Sequence, residues 1–250
     1  MMALYSVISG IAGAFLGILP LSLDGHFVFL QKVTETVYGT GNFSIGNDTV
    51  FLVCFGVFVA LFVSFYEKIV DIIKTKDYKE LAICLSFYLP ALLVNAFFES
   101  SVMLSAFVFL NAFVVYASDY IEKTRFNGKN SIYITATATF LGGLAGFSEI
   151  ALIFSAGLLT GKKPKQAINY ALILYIPIML LKTFVYLIKA CIFGFTLNFG
   201  YSLIVFVLSA LMAIFLIAVL KKTALKRNFR LYAYYLALFA VVVIYTFMKG

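Results

Sequence analysis

Eight long apolar segments constrain the fold of this 250-residue chain more than any other feature. They cover about residues 2–23, 50–66, 81–98, 101–118, 132–160, 167–190, 201–220 and 230–248. A run of roughly 17–25 apolar residues can cross the hydrocarbon core of a bilayer as a helix. Only 12% of the residues are charged, against about 25% in water-soluble domains. The sequence therefore predicts an all-α polytopic membrane protein with no soluble domain.

Helix-breaking residues interrupt two of the eight segments. They are Gly10, Gly13, Gly17 and Pro20 in 2–23, and Gly142, Gly143 and Gly146 in 132–160. Interrupted backbone at membrane depth is tolerated only where protein or water satisfies its polar groups. We therefore expect these two segments to form re-entrant helical hairpins and the other six to form spanning helices.

The order of the segments indicates an internal duplication within one membrane domain, 1–250. Each half has a hairpin followed by three spanning helices, with repeat one at 1–130 and repeat two at 131–250. Because three crossings are an odd number, the second repeat is expected to be inverted. Inverted repeats with interrupted segments at matching positions point to a central binding site.

The basic residues favour one orientation of the chain. If the first hairpin enters from outside, fifteen of the nineteen Lys and Arg residues fall in the inside loops 66–80, 119–131, 161–166 and 221–230. Cytoplasmic loops carry such an excess. We predict a multi-pass protein of the plasma membrane with both termini outside. The net charge of +8 then reflects topology and anionic lipid headgroups, and no nucleic acid partner is expected.

Polar residues cluster beside the bend of the first hairpin. Ser22, Asp24 and His26 follow Pro20, with Gly25 among them. A hydroxyl, a histidine and free backbone N–H groups can bind phosphate. The alternative is an outer-surface turn in which Asp24 caps a helix and His26 is an interfacial side chain. The local pattern leaves both interpretations open.

Glu149 is the most informative single residue of the second hairpin. A charged side chain at the bilayer centre costs roughly 2.5–3.5 kcal/mol on insertion scales. We therefore expect Glu149 to face a wet cavity, to pair with a cation or to be protonated. Lys182 is the nearest buried cation by composition, and its simplest interpretation is a side chain that snorkels near a helix end.

Both hairpins resemble the undecaprenyl-diphosphatase family, also called UppP or BacA. LPLSLDGHFVF is similar to the family's Leu-Pro-x-Ser-Ser-x-Gly-His stretch. GFSEIALIFSAGLLTGKKPKQAINYALILYIPIMLLK is similar to its Pro-Gly-x-Ser-Arg-Ser-Gly stretch and the following helix, and FYLPALLVNAFFES resembles its second spanning helix. The resemblance covers nearly the whole chain. It implies six spanning helices, two re-entrant hairpins and an outward-facing site that removes a phosphate from undecaprenyl diphosphate.

The resemblance carries over only part of the family's site. The matching residues are Ser22, Gly25, His26, Gly146 and Ser148. The family's two glutamates fall on Gly17 and Gly13, its second serine on Leu23, its arginine on Glu149 and the serine after that arginine on Ile150. Cleavage of a diphosphate needs charge neutralisation by arginine or a divalent cation, and carboxylates to hold that cation. The combined loss argues against the family's hydrolysis.

Three hypotheses follow. The first is a catalytically degenerate member that transports a polyprenyl phosphate lipid, bound by Ser22, Asp24, Gly25, His26, Gly146, Ser148 and Glu149. The second is an active diphosphatase, with Ser22 and His26 catalytic and Asp24 and Glu149 holding Mg or Ca. The third is a membrane partner that transports nothing. No cofactor is certain, and a homodimer is compatible with the sequence.

Overall fold

The computed structural model describes residues 2–38, 46–95, 101–120 and 130–249, and every regular element in these ranges is an α-helix. The helices are α1 (Met2–Ile18), α2 (Leu23–Tyr38), α3 (Asn47–Ser64), α4 (Tyr66–Thr75), α5 (Lys79–Asn95), α6 (Ser101–Ser118), α7 (Asn130–Gly142), α8 (Glu149–Leu159), α9 (Pro164–Phe193), α10 (Phe199–Lys226) and α11 (Arg230–Lys249). The protein is therefore an all-helical polytopic membrane protein, as the sequence predicted.

Among the described residues, three helices have the length and hydropathy to cross a membrane. These are α3, α9 and α10, with 18, 30 and 28 residues. Shorter apolar helices come from α1, α6, α7, α8 and α11. The number of six crossings and the side on which the termini lie stay predictions.

Two stretches that the sequence suggested to be loops contain helix. The predicted outer loop 27–49 is helical as far as Tyr38, where α2 ends. The predicted inside loop 66–80 contains α4, which places Ile69, Ile72 and Ile73 on one face. Such an amphipathic helix suits the plane of a membrane interface, because its apolar face can enter the lipid while its charges stay in water. Hydropathy averaged over a long window misses helices of this kind.

Each interrupted segment forms two helices joined by a short break. In the first, α1 ends at Ile18 and α2 begins at Leu23; in the second, α7 ends at Gly142 and α8 begins at Glu149. The second break contains Gly146, whose φ of +107° is a conformation that only glycine adopts without strain. The breaks therefore lie where proline and glycine predicted them.

Helix α8 lies in the interior of the bundle. All its residues from Glu149 to Leu158 are buried, and it packs against α6, α7 and α9. Because neighbouring helices surround α8, its side chains are apolar on every face and it has no polar face for water. Helix α1, which opens the first interrupted segment, packs on α10, and α7, which opens the second, packs on α5. Because α5 and α10 have matching places in the two predicted repeats, two related repeats would give this pairing. The repeat boundaries themselves stay a prediction.

Two carboxylates tie the halves of the bundle together. The fully buried Asp48 accepts hydrogen bonds from the backbone N–H groups of Thr196 and Leu197, at 2.7 and 2.8 Å, just before α10. Asp119 accepts from the N–H groups of Phe229 and Arg230 at the start of α11. The N–H groups near a helix start have no partner within the helix, so each acid satisfies donors that would otherwise be unpaired.

Candidate functional site

The breaks of the two hairpins meet inside the bundle. Ser22 Oγ accepts hydrogen bonds from Gly25 N at 3.1 Å and from Gly146 N at 3.0 Å, so one hydroxyl joins both hairpins. A Cβ on Gly25 would lie 3.1 Å from the backbone of Gly146. The close approach of the two breaks therefore depends on glycine at position 25.

A serine precedes the acid at the start of each inner helix. Ser22 bonds to Gly25 N in α2, and Ser148 caps α8 by accepting from Ala151 N at 3.3 Å. Asp24 and Glu149 thus lie in the first turns of α2 and α8. The positive end of a helix dipole stabilises a carboxylate there. The interpretation of Asp24 as the helix cap was wrong, because Ser22 has that role.

Lys182 joins the two acids into one ionic cluster, composed of Asp24, Lys182 and Glu149. Its Nζ lies 2.7 Å from Asp24 Oδ2 and 2.5 Å from Glu149 Oε1. The side chain of Lys182 is only 2% exposed and that of Glu149 only 4%. The interpretation of Lys182 as a snorkelling side chain was therefore wrong. Glu149 was expected to face a wet cavity, to pair with a cation or to be protonated, and in the structure it pairs with a cation.

Two tyrosines, the buried Tyr88 and the partly buried Tyr186, complete the cluster. Tyr88 on α5 donates to Glu149 Oε1, and Tyr186 on α9 donates to Asp24 Oδ1, each at 3.2 Å. The formal charge of the cluster is −1, since two carboxylates share one ammonium. The N-termini of α2 and α8 each contribute about +0.5 of a charge. The cluster is therefore close to neutral, which explains how it is accommodated in an apolar bundle.

His26 lies beside the cluster in a separate hydrogen-bond arrangement. Its Nδ1 is 2.7 Å from the Ser22 carbonyl and its Nε2 is 2.9 Å from Tyr235 Oη, while the ring stacks on Phe239 at 3.9 Å. A carbonyl only accepts, so Nδ1 carries the hydrogen and Nε2 accepts from Tyr235 in the neutral ring. The ring is buried, and its interpretation as an interfacial side chain was wrong.

Among the contacts of the described residues, His26 and Glu149 have no partner in common. His26 bonds to Ser22 and Tyr235, and Glu149 bonds to Lys182 and Tyr88. A hollow shared by the two side chains stays a prediction. What joins their hairpins is the Ser22 hydroxyl.

The family's two glutamates fall on Gly13 and Gly17, and both glycines lie where α1 packs closely against α3. A Cβ on Gly13 would lie 2.6 Å from the side chain of Val53, and one on Gly17 would lie 3.2 Å from Val57. The glycines let α1 approach α3, as a small-xxx-small spacing predicts. A glutamate at position 13 would push these helices apart.

The described residues do not fit a Mg or Ca ion. Among them, no three His, Cys, Asp or Glu side chains lie close enough together to hold a metal ion. Asp24 and Glu149, one from each hairpin, already hold the ammonium of Lys182 between their oxygens. These divalent ions take six or more oxygen ligands, from carboxylates, carbonyls and water. The ammonium of Lys182 thus occupies the position between Asp24 and Glu149 that a divalent cation would take.

Several residues of the site show no local pattern in the sequence that marks them. Asn111 on α6 accepts from Ser148 N at 3.2 Å, and Tyr88, Tyr186 and Tyr235 bond to the polar groups described above. Sixteen tyrosines occur in the chain, and tyrosine also forms interfacial belts in membranes. Nothing local distinguishes a buried tyrosine from a belt tyrosine. Lys182 was named from the sequence as the nearest buried cation, and the structure places it far from both ends of α9.

Comparisons with known proteins agree with this architecture. Residues 6–242 match the sequence model of a family described as Bacitracin resistance protein BacA. A curated protein of Methanococcus vannielii, described as an undecaprenyl-diphosphatase, is 24% identical over 260 aligned positions. That alignment covers 96% of this chain and 98% of the relative. The similarity therefore extends over the whole membrane domain.

Proposed function

Because the chain belongs to the BacA family, we propose that it binds a polyprenyl phosphate carrier lipid at the ionic cluster and carries it across the membrane without hydrolysis. An undecaprenyl-diphosphatase-like function is supported by the family and by the name of the relative. Transport across the membrane without hydrolysis is our extension of that function. The observation that carries it is Lys182, held by one carboxylate from each hairpin.

A lipid phosphate can bind to the cluster by replacing one of the two carboxylates on Lys182. An ammonium group has three donors, and a phosphate can replace a carboxylate on it with the same sign of charge. Asp24 belongs to the first hairpin and Glu149 to the second. Exchange of either acid for a lipid phosphate therefore loosens one hairpin from α9. Rocking of one repeat against the other around a fixed site is the motion that alternating access requires.

The changed residues make hydrolysis the weaker proposal. Gly13 and Gly17 leave no acids at the positions of the family's glutamates, and Val53 fills the space beside Gly13. Glu149 stands in place of the arginine, and a second negative charge there repels a diphosphate. The remaining cation, Lys182, has two carboxylate partners already. Binding and release of a phosphate fit this arrangement better than bond cleavage.

Transport is tested by reconstituting the full chain in proteoliposomes with a fluorescent polyprenyl phosphate and measuring its movement between leaflets at several pH values. The expected result is transport that depends on pH in the wild type and becomes slower and pH-independent in Glu149→Gln. The amide keeps an oxygen for Lys182 and Tyr88 but has no charge to exchange. Ser155→Ala, on the same helix, is the matched control.

Two results would count against transport. Wild-type vesicles in which the lipid does not move would remove the proposal. Transport in Glu149→Gln with wild-type rate and pH dependence would remove the role of the carboxylate.

A second candidate is an active undecaprenyl-diphosphatase with a rearranged site. One observation favours it: Ser22 and His26, which match the family's residues, are adjacent and buried at the meeting point of the hairpins. It predicts phosphate release from undecaprenyl diphosphate with added Mg or Ca, abolished by His26→Ala. Release that survives His26→Ala, or no release at all, would argue against it.

A further inference from the structure

An apolar groove opens between α3, α4, α5 and α9. Its volume is about 270 Å³, and its lining includes Phe58, Ile73, Tyr78, Leu81, Ile173 and Pro177. Pockets for small molecules usually measure roughly 300–1,000 Å³. The groove therefore has room for part of a flexible chain rather than for a whole lipid.

Two local features of the sequence account for the groove. Pro177 lies inside α9 and lacks the N–H that would bond to the carbonyl of Ile173, so the helix cannot pack there as a regular rod. Ile173 and Pro177 both line the groove. On the other side, the chain turns at Phe65 and α4 places Ile69 and Ile73 over the gap. The groove is thus built by a proline and an amphipathic helix.

Helix α5 contributes residues both to the groove and to the ionic cluster. Leu81 lines the groove, and Tyr88, seven residues further on, donates to Glu149. Seven residues are close to two helical turns, so both side chains lie on one face of α5, roughly 10 Å apart along its axis. Helix α9, which α5 contacts, likewise contributes Pro177 to the groove and Lys182 to the cluster. The seam between α5 and α9 therefore leads from the groove to the cluster.

We propose that this groove binds the isoprenoid chain of the carrier lipid while its phosphate lies at Lys182. The inference rests on the proposed function and names the route of the lipid tail. If a lipid phosphate reaches Lys182, which is only 2% exposed, the part of the chain next to that phosphate cannot lie among the bulk lipid tails. The chain has to pass between helices. The α5–α9 seam leads to an apolar groove, and burial of apolar chain there is favourable at about 25 cal/mol per Å².

The test measures binding of undecaprenyl phosphate and of the short-chain farnesyl phosphate to the full protein in phosphatidylcholine nanodiscs by native mass spectrometry. Ile73→Trp fills the groove from the exposed helix α4 and leaves the bundle core untouched. Leu81→Trp fills it from α5. Leu211→Trp, at an exposed position of α10 outside the groove, is the control.

Both groove variants are expected to weaken binding of undecaprenyl phosphate about tenfold, the loss of roughly two buried methylene groups of contact. Binding of farnesyl phosphate is expected to change much less, because its chain fills less of the groove. Leu211→Trp is expected to bind both lipids as the wild type does.

The outcomes separate this inference from the proposed function. If the wild type binds undecaprenyl phosphate and both groove variants bind it equally well, the groove is not the tail site, although the proposed function survives. If phosphatidylglycerol competes as effectively as undecaprenyl phosphate, the groove holds ordinary lipid chains and the inference is wrong. If the wild type binds neither polyprenyl phosphate, the proposed function fails as well.

Discussion

Lys182 offers the most decisive perturbation of this protein. Lys182→Met keeps the length of the side chain but leaves Asp24 and Glu149 as two buried carboxylates without a cation. Their side chains are only 14% and 4% exposed. Removal of one partner from a buried ion pair costs about 3–5 kcal/mol, because the remaining charge has lost its solvation and gained nothing. We expect a loss of unfolding free energy of that size.

Buried cysteines provide the assay. The chain has no Trp, whereas Cys54 and Cys84 are buried and Cys191 is exposed. In a Cys191→Ser background, a thiol-reactive dye labels the protein only when the bundle opens. A factor of ten in the opening equilibrium corresponds to 1.4 kcal/mol, so Lys182→Met is expected to label at least roughly 100-fold faster than the wild type.

A neutral version of the cluster is the control. The combination of Lys182→Met with Asp24→Asn and Glu149→Gln removes all three charges together. Replacing a whole buried ion group by neutral residues is often neutral or even stabilising, so most of the slow labelling should return. Equal labelling of Lys182→Met and the wild type would refute the reasoning. So would a triple variant that labels faster than Lys182→Met alone.

Two other variants test the packing and the ties between the halves. Gly13→Ala is expected to lower the unfolding free energy by about 1–3 kcal/mol, since its Cβ would lie 2.6 Å from a side chain of α3. Gly200→Ala, where the nearest atom is 3.6 Å away, is its control, and equal stability of the two would contradict the argument. Asp48→Ala is expected to cost about 1–3 kcal/mol for each backbone N–H before α10 that loses its acceptor. The exposed Asp71→Ala should cost nothing measurable in the same dye-labelling assay, and a similar loss in both would show that Asp48 is not a specific tie.

Much of the fold could be predicted from local properties of the chain. The apolar segments predicted an all-helical membrane protein, and Pro20 and Gly146 predicted the positions of the two breaks. Helix α4 was missed, because its apolar residues are spaced around one face instead of forming a continuous run. The part of α2 beyond residue 27 was missed as well, because its polar residues led to its assignment to the outer loop 27–49.

The candidate site was predictable in its parts but not in its connections. Asp24, His26 and Glu149 were recognised, because polar groups in apolar segments are costly and therefore informative. Their tyrosine partners were not recognised, and Lys182 was named as the nearest buried cation but interpreted as a snorkelling side chain. Lys182 is 158 positions from Asp24, Tyr88 is 61 positions from Glu149 and Tyr235 is 209 positions from His26. No local pattern relates residues so far apart.

The sequence by itself determined that this chain is embedded in a bilayer and where its helices break. Both follow from local properties, because the transfer of apolar side chains into lipid and the backbone preferences of glycine and proline depend on only a few neighbouring residues. Only the tertiary structure decided that one lysine joins an acid from each hairpin, and that valines fill the space beside two glycines of α1. Those outcomes depend on which distant surfaces pack together. A buried charge has no favourable state until that packing supplies its counter-charge.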